Sequence, residues 1–506
     1  MPSRFPQLIS AQHQHALYSV AQTRHIEQTA AAALPPHTLM QRAGLALARM
    51  VCAIAPHAQT VWLACGPGNN GGDGLEAAMH LKRWGRNPVV TWLGDAVRSP
   101  SDALASLARA HDAGVRFADA PPAQFDVAVD ALLGIGGGKR PLQATMQQQL
   151  LNMHSSTAPV LCADVPSGLD ADTGCYADLE FATNLIATRA YFTGSKLLFC
   201  LQFLSIKPGL FTAQGRDAAG VQWWDALGVE QDTTEPQALL LGADCCSTRA
   251  RIHASHKGSF GDVAVIGGAP GMTGAALLAG QAALHAGAGR VFVGLLDPAV
   301  RVDVSQHELM LRSVEALDIK TACVVCGCGG ADAVRTVLPR VLSSAPHLVL
   351  DADALNAIAN DTSLQTLLRQ RAKKDWCTVL TPHPLEAARL LACSTQDIQS
   401  QRLYAAENLA NQYSCTVVLK GSGTIIASPG QVTCINPTGN AKLATAGTGD
   451  VLAGMIGAGL ASHTLSAHAS ACAAVWQHGR IADEWPAHVP LTASGLLRQA
   501  NGHKPA

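Results

Sequence analysis

The sequence has no uninterrupted apolar run of the roughly 20 residues that a membrane-spanning helix requires. The nearest candidate, residues 197–206, is too short and contains Gln202. The first residues, 1–6, also lack the apolar stretch of a secretory signal. We therefore expect a cytoplasmic protein with no membrane partner.

An excess of charge of one sign is missing as well. Lys and Arg number 36 and Asp and Glu number 37, which gives a formal net charge of −1. Binding to nucleic acid depends on a positive field over the protein surface. We therefore expect no nucleic-acid partner.

The 15 cysteines lack the spacing of a metal site. The closest groups are Cys245 with Cys246 and Cys326 with Cys328, and no second pair follows either group at zinc spacing. We interpret the cysteines as reduced cytosolic thiols that pack as small apolar side chains.

The chain is long enough for two domains, because 506 residues exceed what one hydrophobic core ordinarily holds. In the first half, short apolar segments alternate with helix-like stretches such as residues 75–84. This alternation predicts a parallel sheet that helices cover on both faces. The predicted strands are residues 60–66, 88–93, 125–133 and 159–164.

A polar stretch at residues 229–237 interrupts this alternation and marks a domain boundary. The pattern then restarts with a strand at 262–268 and a helix at 274–286. We predict two α/β domains, over residues 1–230 and 245–506. The later predicted strands are 291–295, 322–326, 347–350, 377–380 and 415–419, the last paired with 424–427 in an antiparallel hairpin at the edge of the sheet.

Three predicted strands of the first half end in polar or glycine-rich loops, at residues 69–74, 130–141 and 164–170. The first loop could cradle a phosphate, because it is glycine-rich and lies between a strand and a helix, or it could be a plain turn, because Asn-Gly is the commonest turn signal. The carboxyl ends of parallel strands share one edge of the sheet, where ligands bind. That edge would collect Asn70, Asp130, Asp164 and Ser167, with Asp170 as a turn or helix-cap carboxylate.

The most informative segment of the chain is Gly447-Thr448-Gly449-Asp450, which precedes a helix-like apolar stretch. The glycines leave backbone N–H groups open to an anion, and a helix beginning near Val451 would add its positive end. A carboxylate at such a place needs a chemical task, such as accepting a proton from a hydroxyl group. The segment therefore predicts a phosphate site with its own base.

Four further groups of the second half follow predicted strands. Asp351 and Asp353 could reach a magnesium ion through water, or Asp353 could cap the next helix. Prolines on both sides of His383 restrict where its side chain points. The other two groups are the glycine-rich loops at residues 267–275 and 420–424.

The loops of the first half, together with residues 18–27 and 39–44, resemble the NAD(P)HX epimerase family over about residues 10–228. That family interconverts the R and S hydrates of NADH and NADPH. The resemblance implies that residues 69–73 contact the nucleotide, residues 134–140 contact its phosphates, and Asp164 acts at the nicotinamide hydrate. It also implies a K⁺ ion, held by Asn70, Asp130 and Ser167. The implied substrate-binding residues are Asn69, Asn70, Gly71, Gly72, Asp73, Gly134, Ile135, Gly136, Gly137, Gly138, Lys139, Arg140 and Asp164.

The second half resembles ADP-dependent NAD(P)HX dehydratase, a family with the ribokinase-like fold, over about residues 245–500. The order of the loop at 420–424, the pair Gly439-Asn440 and the segment 444–450 carries this resemblance. It implies that Ala275, Gly329, His383 and Asp450 face the hydrate. The implied nucleotide-binding residues are Lys420, Gly421, Ser422, Gly423, Thr424 and Gly449.

Together the two resemblances imply a bifunctional lyase and isomerase that repairs hydrated NADH and NADPH, and we expect it to be a homo-oligomer. Asp450 would deprotonate the hydroxyl group while phosphate is transferred to it from ADP, or from ATP, with Mg²⁺ neutralising the nucleotide. AMP and phosphate would be the products from ADP. Asp164 could be an acid, a base or an electrostatic anchor.

Two alternatives remain open. The anion site and Asp450 would also serve a kinase for a vitamin precursor or sugar, and the first half could be a binding module without activity. The chain departs from the epimerase family at residues 181–206, a longer passage than usual that contains residues 193–196 (Thr-Gly-Ser-Lys).

Overall fold

The computed structural model describes residues 5–192, 197–230, 235–246 and 253–499. Thr193, Gly194, Ser195 and Lys196 therefore lie outside the described residues. The chain forms two compact units, Met1–Ser10 with Ala16–Ala238 and Ala11–His15 with Leu239–Ala506. Among the described residues, no helix combines the length and apolarity that crossing a membrane would require.

The first unit is built on strands that alternate with helices. Its strands are β1 (Gln7–Leu8), β2 (His15–Leu17), β3 (Thr60–Cys65), β4 (Asn87–Trp92), β5 (Arg116–Phe117), β6 (Val127–Ala131), β7 (Val160–Ala163), β8 (Leu198–Phe203) and β9 (Val221–Asp225). Its helices are α1 (Val20–Ala33), α2 (Thr38–Ile54), α3 (Asn69–Arg83), α4 (Ser101–Asp112), α5 (Ala144–His154), α6 (Leu179–Phe192) and α7 (Gly215–Ala219).

The sheet of the first unit has the strand order β1-β9-β8-β7-β6-β3-β4-β5. The neighbours from β9 to β5 pair in parallel, and β1 pairs antiparallel with β9. The four strands predicted from the sequence are all present. The carboxyl ends of β3, β6 and β7 consequently lie side by side, as expected. The unusual passage at 181–206 supplies most of α6 and the whole of β8, in which Gln202 is buried and bonds Gln222.

One prediction for this unit was wrong in its boundaries. Residues 69–74 were expected to form a loop, but they are the first turns of α3, which begins at Asn69. Close packing explains the glycines: a Cβ at Gly71 would lie 2.0 Å from the Gly66 carbonyl oxygen, and one at Gly74 would lie 2.7 Å from the Ala131 Cβ. These glycines let the helix approach the strand ends.

The second unit also alternates strands and helices. Its strands are β10 (Ala238–Leu240), β11 (Asp262–Gly267), β12 (Arg290–Leu295), β13 (Met310–Leu311), β14 (Cys323–Cys326), β15 (His347–Leu350), β16 (Cys377–Leu380), β17 (Thr416–Leu419), β18 (Ile425–Ala427) and β19 (Thr433–Ile435). Its helices are α8 (Thr273–His285), α9 (Leu338–Ser344), α10 (Asp353–Ala359), α11 (Thr362–Gln370), α12 (Pro384–Leu391), α13 (Thr395–Ser400), α14 (Arg402–Tyr413), α15 (Thr448–Ala461), α16 (Ala467–Glu484) and α17 (Ala493–Gln499).

These strands follow the order β13-β12-β11-β14-β15-β16-β17-β18-β19-β10. Pairing is parallel from β13 to β17 and antiparallel from β17 through β19, which confirms the predicted hairpin. Its predicted place at the sheet edge was wrong, because β19 and β10 follow β18 in the sheet. Helix α15 starts at Thr448, three residues before the predicted start, and its small residues pack closely on α8: a Cβ at Gly454 would lie 2.1 Å from the Ala279 carbonyl oxygen. The predicted fold class, two α/β domains, is confirmed.

Two candidate active sites

A cavity of about 480 Å³ opens in the first unit at the carboxyl edge of its sheet. The predicted residues that line it are Asn69, Asn70, Asp73, Gly134, Ile135, Gly136, Gly137 and Asp164. Gly71 and Gly72 are buried in α3, and Gly138 packs so closely on Asp170 that a Cβ would lie 2.2 Å from the Asp170 Cα. Lys139 and Arg140 are exposed and lie outside the cavity wall.

Asp164 is held in an unusual conformation at the wall of this cavity. Its φ angle is 63°, a left-handed backbone that a non-glycine residue adopts only where the surroundings enforce it. Lys207, whose side chain is fully buried, donates from Nζ to Asp164 Oδ1 at 2.5 Å and to the Phe203 carbonyl at 2.7 Å. A fixed ion pair therefore presents the Asp164 carboxylate to the cavity.

Three more acidic side chains, those of Glu27, Asp73 and Asp102, line the same cavity. Burial, followed by repulsion from Asp164, raises the pKa of the Glu27 and Asp73 carboxyl groups. Groups with raised pKa values can hold a proton where an exposed carboxyl would not, as acid–base chemistry requires. Neither Glu27 nor Lys207 was assigned a role from the sequence, although Glu27 lies in the segment 18–27 that carries the epimerase resemblance.

The predicted K⁺ ligands come from three elements: Asn70 lies in the first turn of α3, Asp130 near the end of β6 and Ser167 in the loop after β7. Ser167 Oγ donates to Asp130 Oδ1 at 2.5 Å, and the Leu133 amide donates to Ser167 Oγ at 2.9 Å. The side-chain oxygen and nitrogen of Asn70 are buried without a hydrogen-bond partner among the described residues. An amide oxygen left in this way, taken together with a carboxylate and a hydroxyl group, is of the donor type that a hard cation prefers.

Of the two roles predicted for Asp170, a turn carboxylate and a helix-cap carboxylate, the structure shows the first. Its Oδ1 accepts from the amides of Asp172 and Thr173 at 3.0 and 2.9 Å, so it closes a turn.

In the second unit, the segment 447–450 forms the N-terminal end of α15. Gly447 precedes the helix with a φ angle of 88°, which favours glycine. The helix consequently directs its first amides and its positive end toward the same space as Asp450, which lies in its first turn. The predicted anion site is thus a helix start rather than a free loop.

The electrostatic surroundings of Asp450 suit a carboxyl group that accepts a proton. Burial, followed by repulsion from Asp351, raises the pKa of Asp450 to about 7. The Cys328 sulfur and one carboxylate oxygen each of Asp351 and Asp450 lie within 4.8 Å of one another. A carboxyl group with a pKa near 7 can exchange a proton at physiological pH.

Lys420 supplies a positive charge to this site. Its Nζ donates to Asp351 Oδ1 at 2.6 Å, and Thr381 Oγ1 donates to the same oxygen at 2.7 Å. Burial alone would lower the pKa of Lys420, but the carboxylates of Asp351 and Glu386 outweigh it and raise that pKa. A Cβ at Gly449 would lie 3.5 Å from Lys420 Nζ, so the predicted nucleotide residues Lys420 and Gly449 come together.

The buried side chain of Arg402 supports the rest of the 420–424 loop. Arg402 donates to the carbonyls of Leu419 and Lys420 at 3.3 and 3.2 Å. Gly421 has a φ angle of 135° and packs against the guanidinium group: a Cβ there would lie 2.9 Å from an Arg402 nitrogen. The loop residues after Lys420 are therefore supported by the Arg402 side chain. These residues are Gly421, Ser422, Gly423 and Thr424.

His383 caps α12 and is fixed at both ring nitrogens. Its Nδ1 accepts from the amides of Leu385 and Glu386 at 3.1 and 3.3 Å, and its Nε2 lies 3.2 Å from Glu386 Oε1. Burial, followed by the charge of Lys420, lowers the pKa of His383 and favours the neutral ring, in which Nδ1 is free to accept. Burial raises the pKa of Glu386 to about 7.

The remaining predicted residues, Ala275 and Gly329, lie against each other. Gly329 has a φ angle of 59°, and a Cβ at this position would lie 2.9 Å from the Ala275 Cβ.

The cap proposed for Asp353 was wrong: Ala352 occupies the N-cap of α10, and Asp353 Oδ2 accepts from the Ala331 amide at 2.8 Å. Asp353 therefore ties α10 to the start of the short 3-10 helix Ala331–Thr336.

Known proteins match almost the whole length of this chain. A family model described as NAD(P)H-hydrate dehydratase matches residues 263–499, and one described as YjeF-related protein N-terminus matches residues 36–194. The bifunctional NAD(P)H-hydrate repair enzyme Nnr of Escherichia coli is 35% identical over 492 residues, 93% of this chain and 89% of that protein. The similarly named protein of Coxiella burnetii is 34% identical over 486 residues, 92% and 94% of the two chains.

Two further relatives match the second half. The ADP-dependent (S)-NAD(P)H-hydrate dehydratase of Neisseria meningitidis is 41% identical over 257 residues, 49% of this chain and 85% of that protein. The solved structure of the ADP/ATP-dependent NAD(P)H-hydrate dehydratase of Bacillus subtilis, co-crystallized with ATP/Mg²⁺, is 30% identical. It covers 51% of this chain and 94% of its own, with a TM-score of 0.42.

Proposed function

The chain belongs to the family of bifunctional NAD(P)H-hydrate repair enzymes, and we propose how its two sites divide the reaction. Residues 1–230 form the domain that epimerises the R and S hydrates of NADH and NADPH. Residues 245–506 form the domain that dehydrates the S hydrate. Since the dehydratase accepts one epimer, an epimerase on the same chain makes the whole pool repairable.

The dehydratase uses a nucleotide to turn a hydroxyl group into a good leaving group. The hydroxyl oxygen of the hydrate attacks the terminal phosphorus of ADP or ATP, and Asp450 accepts the hydroxyl proton. The first amides of α15 bind the transferred phosphoryl group, and Lys420 with Gly449 holds the nucleotide. Phosphate then leaves with its electron pair as the ring loses a proton and regains its double bond, so ADP yields AMP and phosphate.

The observation that carries this proposal is the position of Asp450. Its carboxyl group, with a pKa of about 7, lies at the positive end of α15 beside the Asp351–Lys420 pair. Ala275, Gly329 and the neutral ring of His383 would form the wall against the hydrate. Mg²⁺ would be held by phosphate oxygens together with the carboxylates of this site, and when bound it neutralises phosphate charge.

The epimerase site is the cavity of the first unit. Asp164, fixed by Lys207, would act at the hydrated carbon, while residues 69–73 would contact the nucleotide and 134–140 its phosphates. Asn70, Asp130 and Ser167 would hold K⁺, since the Asn70 amide has no other partner among the described residues. A K⁺ ion there would add positive charge at the substrate's phosphates. We also propose that the chain forms a homo-oligomer, which its mass in solution would test.

One experiment separates the two activities. The full chain is incubated with mixed R and S hydrates, Mg²⁺ and either ADP or ATP, and the reduced-nicotinamide absorbance and the R/S ratio are followed. Asp450→Asn should abolish the return of absorbance and leave epimerisation intact, whereas Asp164→Asn should do the reverse. Asp332→Asn, at a fully exposed carboxylate, is the matched control.

Two outcomes would contradict the proposal. A stable phosphorylated product without restored absorbance would favour a small-molecule kinase. An unchanged R/S ratio with the wild-type chain would favour a first unit that only binds.

A further inference from the structure

Four thiols and one imidazole gather in the second unit, outside the dehydratase site. Cys434 lies on β19, and His468 and Cys472 lie one turn apart on α16. The ligand atoms of these three residues lie within 4.8 Å of one another, and Cys434 and Cys472 are each only 4% exposed. Cys245 and Cys246 sit next to them, donating to the carbonyls of Cys472 and Ala473 at 3.8 and 3.4 Å.

The distances suit a tetrahedral soft-metal site. Zinc bonds of about 2.3 Å to sulfur and about 2.05 Å to nitrogen separate a sulfur and a nitrogen ligand by about 3.6 Å. Cys434 Sγ lies 3.5 Å from His468 Nε2. Small rotations of the Cys472 side chain would complete the three-ligand face. Cys245, whose sulfur lies 3.8 Å from the Cys472 carbonyl oxygen, offers a further thiol for the fourth position.

The imidazole is already oriented as a ligand. His468 Nδ1 lies 2.9 Å from Ser428 Oγ, which in turn lies 2.9 Å from Thr416 Oγ1. When Nδ1 carries the proton and donates to Ser428, the lone pair of Nε2 faces Cys434. A ligand histidine fixed through its second nitrogen is the usual outer arrangement of a zinc site.

The charges of the three ligands also suit a divalent metal ion. Two thiolates and a neutral imidazole balance a divalent ion, so with water as the fourth ligand the buried complex would carry no net charge, and with a Cys245 thiolate it would carry one negative charge. Thiolate and imidazole ligands favour zinc over magnesium or calcium.

We propose that Cys434, His468 and Cys472 bind a borderline-soft divalent metal ion, zinc first among them, with the Cys245 sulfur or a water as fourth ligand. The ion would join β19 to α16. The chain that leaves β19 bonds the same helix, through Thr438 Oγ1 to the Trp476 carbonyl at 2.8 Å and the Gly439 amide to Asp483 at 2.9 Å. The metal would therefore stabilise the strand–helix pair from which the segment leading to Asp450 departs, and it is independent of the proposed reaction.

The test uses the full chain, purified without chelators and in a reducing buffer. Bound zinc is measured by plasma mass spectrometry, and Co²⁺ is titrated into the metal-free chain while thiolate-to-cobalt charge-transfer absorption is followed. Wild type should bind about one equivalent and show the band. Cys434→Ser and His468→Ala should lose at least about nine-tenths of the bound metal and the band. Cys415→Ser, a buried cysteine outside the group, is the matched control and should keep both.

A band of equal strength in all variants, or none in wild type, would overturn the proposal. So would a Cys434–Cys472 disulfide found by peptide mapping of the freshly purified chain. If Cys434→Ser does not fold, the wild-type chain still decides, because competition with a chelator of known affinity measures the site without a substitution. A rise of the thermal midpoint by several degrees on adding zinc would accompany specific binding.

Discussion

Replacing Asp450 by Asn should change the activity and the stability of the second unit in opposite directions. The charged form of Asp450 is disfavoured where it lies, because burial and the nearby Asp351 carboxylate raise its pKa from the ordinary 3.8 to about 7. The substitution removes that charge and keeps the shape of the side chain. It should therefore stabilise the fold while it removes the base.

The magnitude follows from the pKa. The difference between about 7 and 3.8 corresponds to an upper limit of about 4 kcal/mol for holding the carboxylate ionised in the folded protein. Solvent screening of the partly exposed group reduces the expected gain to about 1–2 kcal/mol. Since the folded protein binds the proton more tightly than the unfolded chain, wild-type stability falls as pH rises from about 4 to about 7. The advantage of Asp450→Asn grows over that interval and is constant above it.

Calorimetry at pH 5, 6 and 8 measures the stability, and initial rates of dehydration measure the activity. At pH 8 the midpoint of the second unit should rise by about 2–6 °C, and the rate should fall by about 10²–10⁴-fold. Asp332→Asn should change neither. A variant that is destabilised at pH 8, or that keeps near-normal turnover, would refute the role and the environment assigned to Asp450.

Three further predictions concern the groups around the two sites. Lys420→Ala should raise the KM for nucleotide at least about tenfold, measured by initial rates, because it removes a phosphate contact and leaves Asp351 without its cation. Asn70→Ala should abolish any difference in epimerisation rate between K⁺ and Na⁺ buffers, and a difference as large as in wild type would contradict the cation site. Lys207→Met should slow the R/S exchange at least about tenfold and destabilise the first unit by about 3 kcal/mol in denaturant unfolding, because Asp164 loses its buried partner. Unchanged exchange would show that the ion pair has no part in epimerisation.

Much of the fold could be predicted from the sequence, because parallel strands buried on both faces appear as short apolar runs. Strands such as β15 and β16 were predicted with the observed bounds. The short edge strands β5 and β13, of two residues each, carry no such run and were missed. The start of α3 was missed because glycines that weaken a helix locally are required here by contact with the strand ends.

The sequence was less informative about which side chains meet. It identified Asp450, Lys420 and Asp164 from loops at strand ends, but the partners of the last two, Asp351 and Lys207, are 69 and 43 residues away. The cysteines at 434 and 472 show why zinc spacing is an incomplete guide: one ligand comes from a strand and two from a later helix. Only the packing of α16 against the sheet brings them together.

The central claim is that the hydroxyl oxygen of the hydrate becomes an oxygen of the released phosphate. Hydrates prepared in ¹⁸O-labelled water carry the label in that hydroxyl group, and mass spectrometry of the products locates it after one turnover with ADP and Mg²⁺. The account predicts that the label appears in inorganic phosphate, since the oxygen attacks phosphorus before its bond to carbon breaks. Label found in water, with none in phosphate, would contradict it.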